Sequence, residues 1–364
     1  MQILAIDIGT GTQDVLLFDT DREPENALKL VMPSPTVLLA QAIRAATHAG
    51  QDLLLTGVTM GGGPCGWAAV DHVRAGRRVF ATPDAARTFN DDLEEVAASG
   101  VQIVDEHEAA GLTGVCHLVM KDLDYNALAY AFGAFGVDLD RVDLLAVAVF
   151  DHGAAPPGVS DRLFRFEYLA QQIRGEGGLA AFAFPGDGIP ASMTRLQAVA
   201  STAPAGRPVV VMDTAPAAVL GALEDPQVGV REEAIVANVG NFHTLAFHLR
   251  RGAIAGLFEH HTGKLGQAQM EDLLTRLAAG TLSNDEVFAD HGHGALIVDP
   301  SPVDPDALWV TVTGPRRGLL SGSRLSPYLA VPYGDMMMAG CWGLVRACAH
   351  VLPWTAEAIG RVLG

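Results

Sequence analysis

Apolar positions along the chain fall into short runs closed by Gly, Asp or Pro, and these alternate with longer Ala- and Leu-rich stretches. The short runs predict strands over residues 2–7, 14–19, 53–60, 102–104, 143–150, 208–212, 233–239, 244–250 and 308–313. The longer stretches predict helices over 35–48, 85–99, 125–135, 162–174, 215–223, 266–279, 334–352 and 355–362. Strands interleaved with helices of this length indicate an α/β class. Residues 185–206 are rich in Pro, Gly, Ser and Thr and read as the passage between two lobes.

One device occurs twice. The chain opens with an apolar strand ending at Asp7, the turn Ile8-Gly9-Thr10-Gly11-Thr12, and a second strand. In the second half an apolar strand reaches Val239, the turn Gly240-Asn241-Phe242-His243-Thr244 follows, and another strand begins. Two such hairpins, one near the start of each half, indicate a weak internal duplication. At the first, Asp7 should emerge at a sheet edge. Gly9 and Gly11 let backbone N–H groups approach an anion, and Thr10 and Thr12 add hydroxyl donors. A carboxylate beside a phosphate-sized nest suits a Mg²⁺-bound nucleotide, with Asp7 orienting the metal. The same residues also make an ordinary hairpin turn.

Other positions carry candidate chemistry. Asp151 and Asp213 each follow an apolar strand, where an α/β sheet faces its ligand crevice, and either could act as general base or hold a metal. Asp and Gly at such places also simply make turns. The run from Gly61 to Gly66 leaves room for a substrate, with Gly62 and Gly63 the candidate contacts. Its Cys65 has no base that can be placed beside it. Histidines gather in the second half as His243, His248, Glu259-His260-His261, His291 and His293. They could supply three or four metal ligands, although HExxH is absent. Adjacent histidines point apart, so at most one of His260 and His261 should reach a pocket, where it could instead touch substrate or phosphate.

Composition narrows the field. At 364 residues the chain suits two domains. With 49% hydrophobic residues and a mean hydropathy of +0.24 it is not a disordered chain. A net charge of −18 with no basic block argues against nucleic-acid partners. The four scattered cysteines form no CxxC, which argues against a disulfide framework. Met1 leads at once into an apolar strand with no basic leader, and the apolar stretches 142–150 and 336–349 are too short to span a bilayer. A cytoplasmic protein with no membrane partner is expected; its small-molecule or protein substrate and its oligomeric state stay open.

The residues Ile6-Asp7-Ile8-Gly9-Thr10-Gly11-Thr12 resemble the first phosphate motif of the actin-like ATPases, which include sugar kinases and heat-shock chaperones. Asp213 to Gly221 is similar to that superfamily's first connecting helix. Asn238 to Thr244 resembles its second phosphate motif, Val310 to Gly318 its adenosine motif, and Met336 to Arg346 its second connecting helix. Residues 6–19, 238–244 and 259–263 look like an uncharacterised family of this fold whose members are often labelled pyruvate formate-lyase activating enzymes. A radical activating enzyme needs three closely spaced cysteines for its cluster. Here Cys341 and Cys348 have six residues between them and the other two are remote.

The resemblance implies a two-lobed actin-like (ribonuclease H-like) fold with a duplicated core and a central nucleotide cleft. Lobe one would span 1–206, with 333–364 packing back on it, and lobe two 207–332. ATP or ADP with Mg²⁺ would be held by Asp7 and by Gly9, Thr10, Gly11, Thr12, Asn238, Gly240, Asn241, Thr244, Gly314 and Arg316. Two positions depart from the pattern: Asn238 stands where the second motif normally has Asp, and Asp14 where sugar kinases often carry a basic residue. The expected function is an ATP-dependent phosphotransferase or ATPase. The alternatives are a non-catalytic nucleotide-gated module and a metal-dependent transferase or hydrolase using the histidines.

Overall fold

The computed structural model describes residues 1–156, 158–176, 178–301, 303 and 308–364. Its organising element is the opening hairpin. β1 (Gln2–Ile8) pairs antiparallel with β2 (Thr12–Asp19), and β2 with β3 (Leu28–Pro33). On its other side β1 runs parallel to β8 (Leu144–Val149), then β10 (Val209–Asp213) runs parallel to β8, and β9 (Ala183–Pro185) closes the edge antiparallel. All six residues of β8 are buried, as fits a parallel strand covered on both faces.

A second sheet repeats this plan. β11 (Glu233–Val239), β12 (His243–Arg250) and β13 (Ala253–His261) run antiparallel in turn. On the far side of β11 lie β15 (Val310–Thr313) and β16 (Tyr328–Leu329), both parallel, while β14 (Gly294–Ile297) extends the β13 edge. The orders β3-β2-β1-β8-β10 and β13-β12-β11-β15-β16 match in sequence and direction. This duplicated core is the actin-like architecture.

The sheets are joined by two helices in close contact. Helix Thr214–Ala222 leaves the end of β10, and helix Ala339–Val351 returns from the second sheet to pack on β1, β2 and β8. Gly221 and Gly343 sit where they meet: a methyl group on either would lie within 2 Å of a backbone carbonyl oxygen of the other helix. Among the described residues no helix is long and apolar enough to cross a membrane.

Two expectations need correction, and one sheet was not expected. Residues 185–206 do not form the passage between lobes. They hold the end of β9 and helix Thr194–Ser201, and β10 beyond them still belongs to the first sheet, so the boundary at residue 206 moves past Asp213. The helix expected over 85–99 is broken into Pro83–Ala86 and Leu93–Ala98, because Asp92 caps a fresh start by accepting from the Glu94 N–H. Finally, residues between β3 and β8 build a third sheet of four parallel strands, β4 (Asp52–Gly57), β5 (Val79–Ala81), β6 (Val101–Ile103) and β7 (Val115–Met120), in the order β6-β5-β4-β7. Helices Pro35–His48 and Pro64–Arg74 cover it and share a core of Leu39, Ile43, Leu53, Leu55 and Val79.

Candidate functional site: a cleft between paired hairpins

The two hairpin turns are built alike. Gly9 N–H donates to the Thr12 carbonyl at 2.9 Å, and Gly240 N–H donates to the His243 carbonyl at 2.9 Å. Position by position, Asp7 corresponds to Asn238, Gly9 to Gly240 and Asp14 to Leu245. The turns meet: a methyl group on Gly11 would lie 2.8 Å from Asn241 Nδ2. Beside them opens a cavity of about 540 Å³, bordered by Asp7, Thr10, Thr12, Asn238, Asn241 and Gly314 among others. The third sheet supplies a wall through Gly61, Gly62 and Gly63, and Gly63 approaches Thr10 so closely that a methyl group would come within 3.3 Å. Trp67 reaches across to Phe242, edge to face at 5.5 Å.

Asp7 and Asp14 face each other directly across the β1–β2 ladder, and both border the cavity. Like charges in such a pair repel. Burial, eased by the Thr214 hydroxyl donating at 2.5 Å, pushes the Asp7 carboxyl up to about 7. Burial and the neighbouring Asp7 push Asp14 up to about 8. One Asp14 oxygen is buried without a hydrogen-bond partner, and neither carboxylate has an ion-pair partner among the described residues. Gly340, in the first turn of helix Ala339–Val351, presses on Asp7; a methyl group there would lie 1.9 Å from its oxygen.

These carboxyls make stability depend on pH. An unfolded aspartate titrates near 3.8, so the native state holds more protons than the unfolded chain from about pH 4 up to pH 7–8. Their contribution therefore falls as pH rises through that span. Below about pH 6.5 histidines oppose it: burial pushes His152 down to about 3, so it is neutral in the fold but charged once unfolded. The unopposed window is pH 6.5–8. In chelator, the melting temperature should fall across it, and Asp7→Asn should flatten the fall. Identical slopes by scanning calorimetry would contradict this account.

Several expected site residues lie elsewhere or are engaged by other groups. Asp213 is buried, caps helix Thr214–Ala222 through the Ala215 N–H, and pairs with Arg165 at 2.5 Å. Asp151 borders the cavity, but its oxygens accept from the Gly153 and Leu196 N–H groups at 2.8 and 2.9 Å, fixing a loop. Thr244 is buried and bonds Thr262 at 2.9 Å. Strand alternation explains it: His243 and His261 are paired across β12–β13 and face the cleft, which turns Thr244 and His260 to the other side. His260 is fully buried there, 3.5 Å from Asp290. Arg316 is exposed away from the cavity and is engaged through its backbone, its N–H donating to the Val239 carbonyl at 3.0 Å and its carbonyl accepting from the Leu319 N–H at 2.9 Å.

Sequence reasoning missed Asp122 and Arg195. Asp122 accepts from the Gly61 N–H and from Arg195 Nε at 2.7 Å, while Arg195 also donates to the Phe150 carbonyl at 2.6 Å. This pair ties the glycine run to the end of β8. No spacing rule joins residues so far apart in the chain.

The histidines converge at the cleft floor. His152 follows β8, His243 begins β12, His261 ends β13, and His293 precedes β14. The ring of His243 stacks on Phe150 at 4.1 Å and meets His293 at 5.1 Å; His152 stacks on His293 at 5.6 Å. Burial holds His243 and His293 well below the usual imidazole range. Behind them Arg165, fully buried, joins Asp213 at the end of β10 to Glu259 on β13.

The model of the family described as "Putative pyruvate format-lyase activating enzyme (DUF1786)" matches residues 60–319. No curated protein matches. Among solved structures, the chain is similar to the ethanolamine utilization protein EutJ from Carboxydothermus hydrogenoformans, with 12% identity, TM-score 0.32, and 94% of this chain and 89% of that one covered. It is also similar to the activator of 2-hydroxyisocaproyl-CoA dehydratase from Clostridium difficile with bound ADPNP, with 9% identity, TM-score 0.36, and 100% and 98% covered. A third is an inorganic polyphosphate/ATP-glucomannokinase from Arthrobacter sp. strain KM, with 13% identity, TM-score 0.35, and 96% and 99% covered.

Proposed function

We propose that this chain, which belongs to the DUF1786 family, binds a nucleoside triphosphate with Mg²⁺ between its two hairpin turns and acts as an ATP-dependent phosphotransferase or ATPase. The observation that carries the reading is the meeting of the two equivalent turns at Gly11 and Asn241 over a cavity bordered by Asp7 and Asp14. Their backbone N–H groups and the Thr10 and Thr12 hydroxyls suit a phosphate chain. A half-buried and a buried carboxyl with no basic partner, the buried one with an orphaned oxygen, suit a hard divalent cation. Asp7 and Asp14 would hold Mg²⁺, which would supply charge neutralisation to the phosphates. Asn238 adds a neutral amide on the opposite wall. Thr214 holds the Asp7 carboxylate in place, and Trp67 with Phe242 narrows access for water.

The iron–sulfur cluster that a radical activating enzyme needs has no holder among the described residues. All four cysteines are free, Cys341 and Cys348 are buried within one helix, Cys65 and Cys116 belong to the third-sheet region, and no three thiols gather.

Calorimetry with ATP and Mg²⁺ tests the proposal. Binding is expected, weakened in Asp7→Ala by roughly two orders of magnitude, about 2.7 kcal/mol. No heat at millimolar nucleotide would overturn it. One observation favours a second reading, a nucleotide-gated module without turnover: Asp151 and Asp213 are both occupied by other groups, so neither is free to take a proton from an acceptor. Single-turnover phosphate release separates the two, since measurable hydrolysis removes the module.

A further inference from the structure

We propose that His152, His243 and His293 form a binding site for one divalent first-row transition metal of the zinc class, with an open coordination position facing the cleft. One nitrogen from each ring can be chosen so that all three lie within 4.8 Å of one another, and no other group of three potential ligand residues gathers this way among the described residues. The three come from separate parts of the chain, the ends of β8 and of the β11–β12 turn and the residue before β14, so the fold assembles them. A tetrahedral zinc with bonds near 2.0–2.1 Å puts its nitrogens roughly 3.4 Å apart, so modest ring rotations close the set.

His293 is the independent sign that a ligand belongs here. It is fully buried, yet neither ring nitrogen has a hydrogen-bond partner of good geometry. Leaving both unpaired in a dry site costs about 1–3 kcal/mol or more. Glu259 lies 3.1 Å from His293 Nδ1 and needs only a small shift to accept its proton. That arrangement presents Nε2 as the ligand, as a carboxylate does behind a metal-bound histidine. The adjacent Arg165 does not oppose a cation on balance, because Asp213 and Glu259 together outweigh its charge. Imidazole nitrogens without thiolate or carboxylate in the ligand set select zinc, copper, nickel, cobalt or iron over Mg²⁺ and Ca²⁺. His152 and His243 border the cavity while His293 lies behind them, so the fourth position opens toward the cavity. His261, whose ring is 4.9 Å from His293, stands beside that opening.

The inference does not need nucleotide, and its test is made without it. The full chain is stripped with chelator and titrated with Co²⁺ and then Zn²⁺. One equivalent per chain is expected, with the visible absorption of four- or five-coordinate Co²⁺ and a raised melting temperature. His152→Ala and His293→Ala should each weaken binding at least about 100-fold, whereas the exposed His291→Asn should bind as wild type. In case the variants fail to fold, metal-edge X-ray absorption on the wild-type protein counts ligands directly, and three imidazoles are expected. Binding below a tenth of an equivalent, an oxygen-only or thiolate shell, or Co²⁺ absorption undiminished in folded His152→Ala and His293→Ala overturns the site. Mg-ATP calorimetry on the stripped protein reports on the nucleotide reading separately.

Discussion

Gly343→Ala should destabilise the protein by about 3 kcal/mol or more, although alanine favours an isolated helix by about 1 kcal/mol over glycine. The added methyl would sit 1.8 Å from the Ala217 carbonyl oxygen and 2.8 Å from the Gly221 nitrogen. Both obstacles are backbone, so no side chain can rotate away. Nor can the helices separate easily. Helix Ala339–Val351 is wedged by the fully buried Trp342, which packs on Phe18 and Tyr333, and helix Thr214–Ala222 is buried along most of its length. Gly221→Ala meets the Ala339 carbonyl oxygen at 1.7 Å and should behave alike; combining the two should not rescue either. Denaturant midpoints measure the loss, and midpoints equal to wild type would mean that the helices are not in contact. The crossing also matters for the site, since Asp7 packs against Gly340 one turn earlier on the same helix. A variant that survives should therefore bind Mg-ATP more weakly even where it stays folded.

How much of this was legible beforehand depended on whether a segment declared itself locally. The opening hairpin, the helix Pro35–His48 and the strand Glu233–Val239 are marked by their own punctuation, a Gly-rich turn, a proline at a helix start, and an apolar run between two glutamates and a Gly-Asn turn. The duplication was readable because Gly9 and Gly240 occupy the same place in two hairpins. β13 was not readable. It is buried over seven consecutive residues, so it shows no alternation, and Glu259 and His260 within it look like surface residues. Their burial follows from Arg165 and from the next strand, neither of which is near in sequence. Asp14 was noted only as a departure from a pattern; its meaning came from the cross-strand register that sets it against Asp7. The histidines were seen as a cluster, but the ligand set was not. His260 is removed by strand alternation and His152 is added from the first sheet, both consequences of tertiary pairing.

Arg165→Met should cost about 3–5 kcal/mol, the usual penalty for removing one partner from a buried ion pair. The guanidinium is fully buried and joins Asp213, at the end of the first sheet's β10, to Glu259 on the second sheet's β13, while also donating to the Asp151 carbonyl at 2.7 Å. It lies 3.9 Å over the Phe150 ring, the same ring that stacks on His243. Without it two carboxyls would stay in a dry site with no counter-charge. Burial already pushes Glu259 up to about 7 with only Arg165 opposing it, so in the variant Glu259 should hold its proton to a higher pH than in wild type. The loss should consequently be larger at pH 8 than at pH 6, which distinguishes it from a simple packing defect. Adding Asp213→Asn and Glu259→Gln to Arg165→Met removes the stranded charges and should recover most of the stability. It should not recover the site, because Arg165 clasps the two sheets beside the histidines and Glu259 is the acceptor nearest His293. Recovered denaturation midpoints together with a lasting loss of Co²⁺ affinity would assign the clasp a positioning role. Recovery of both would reduce it to a structural pair.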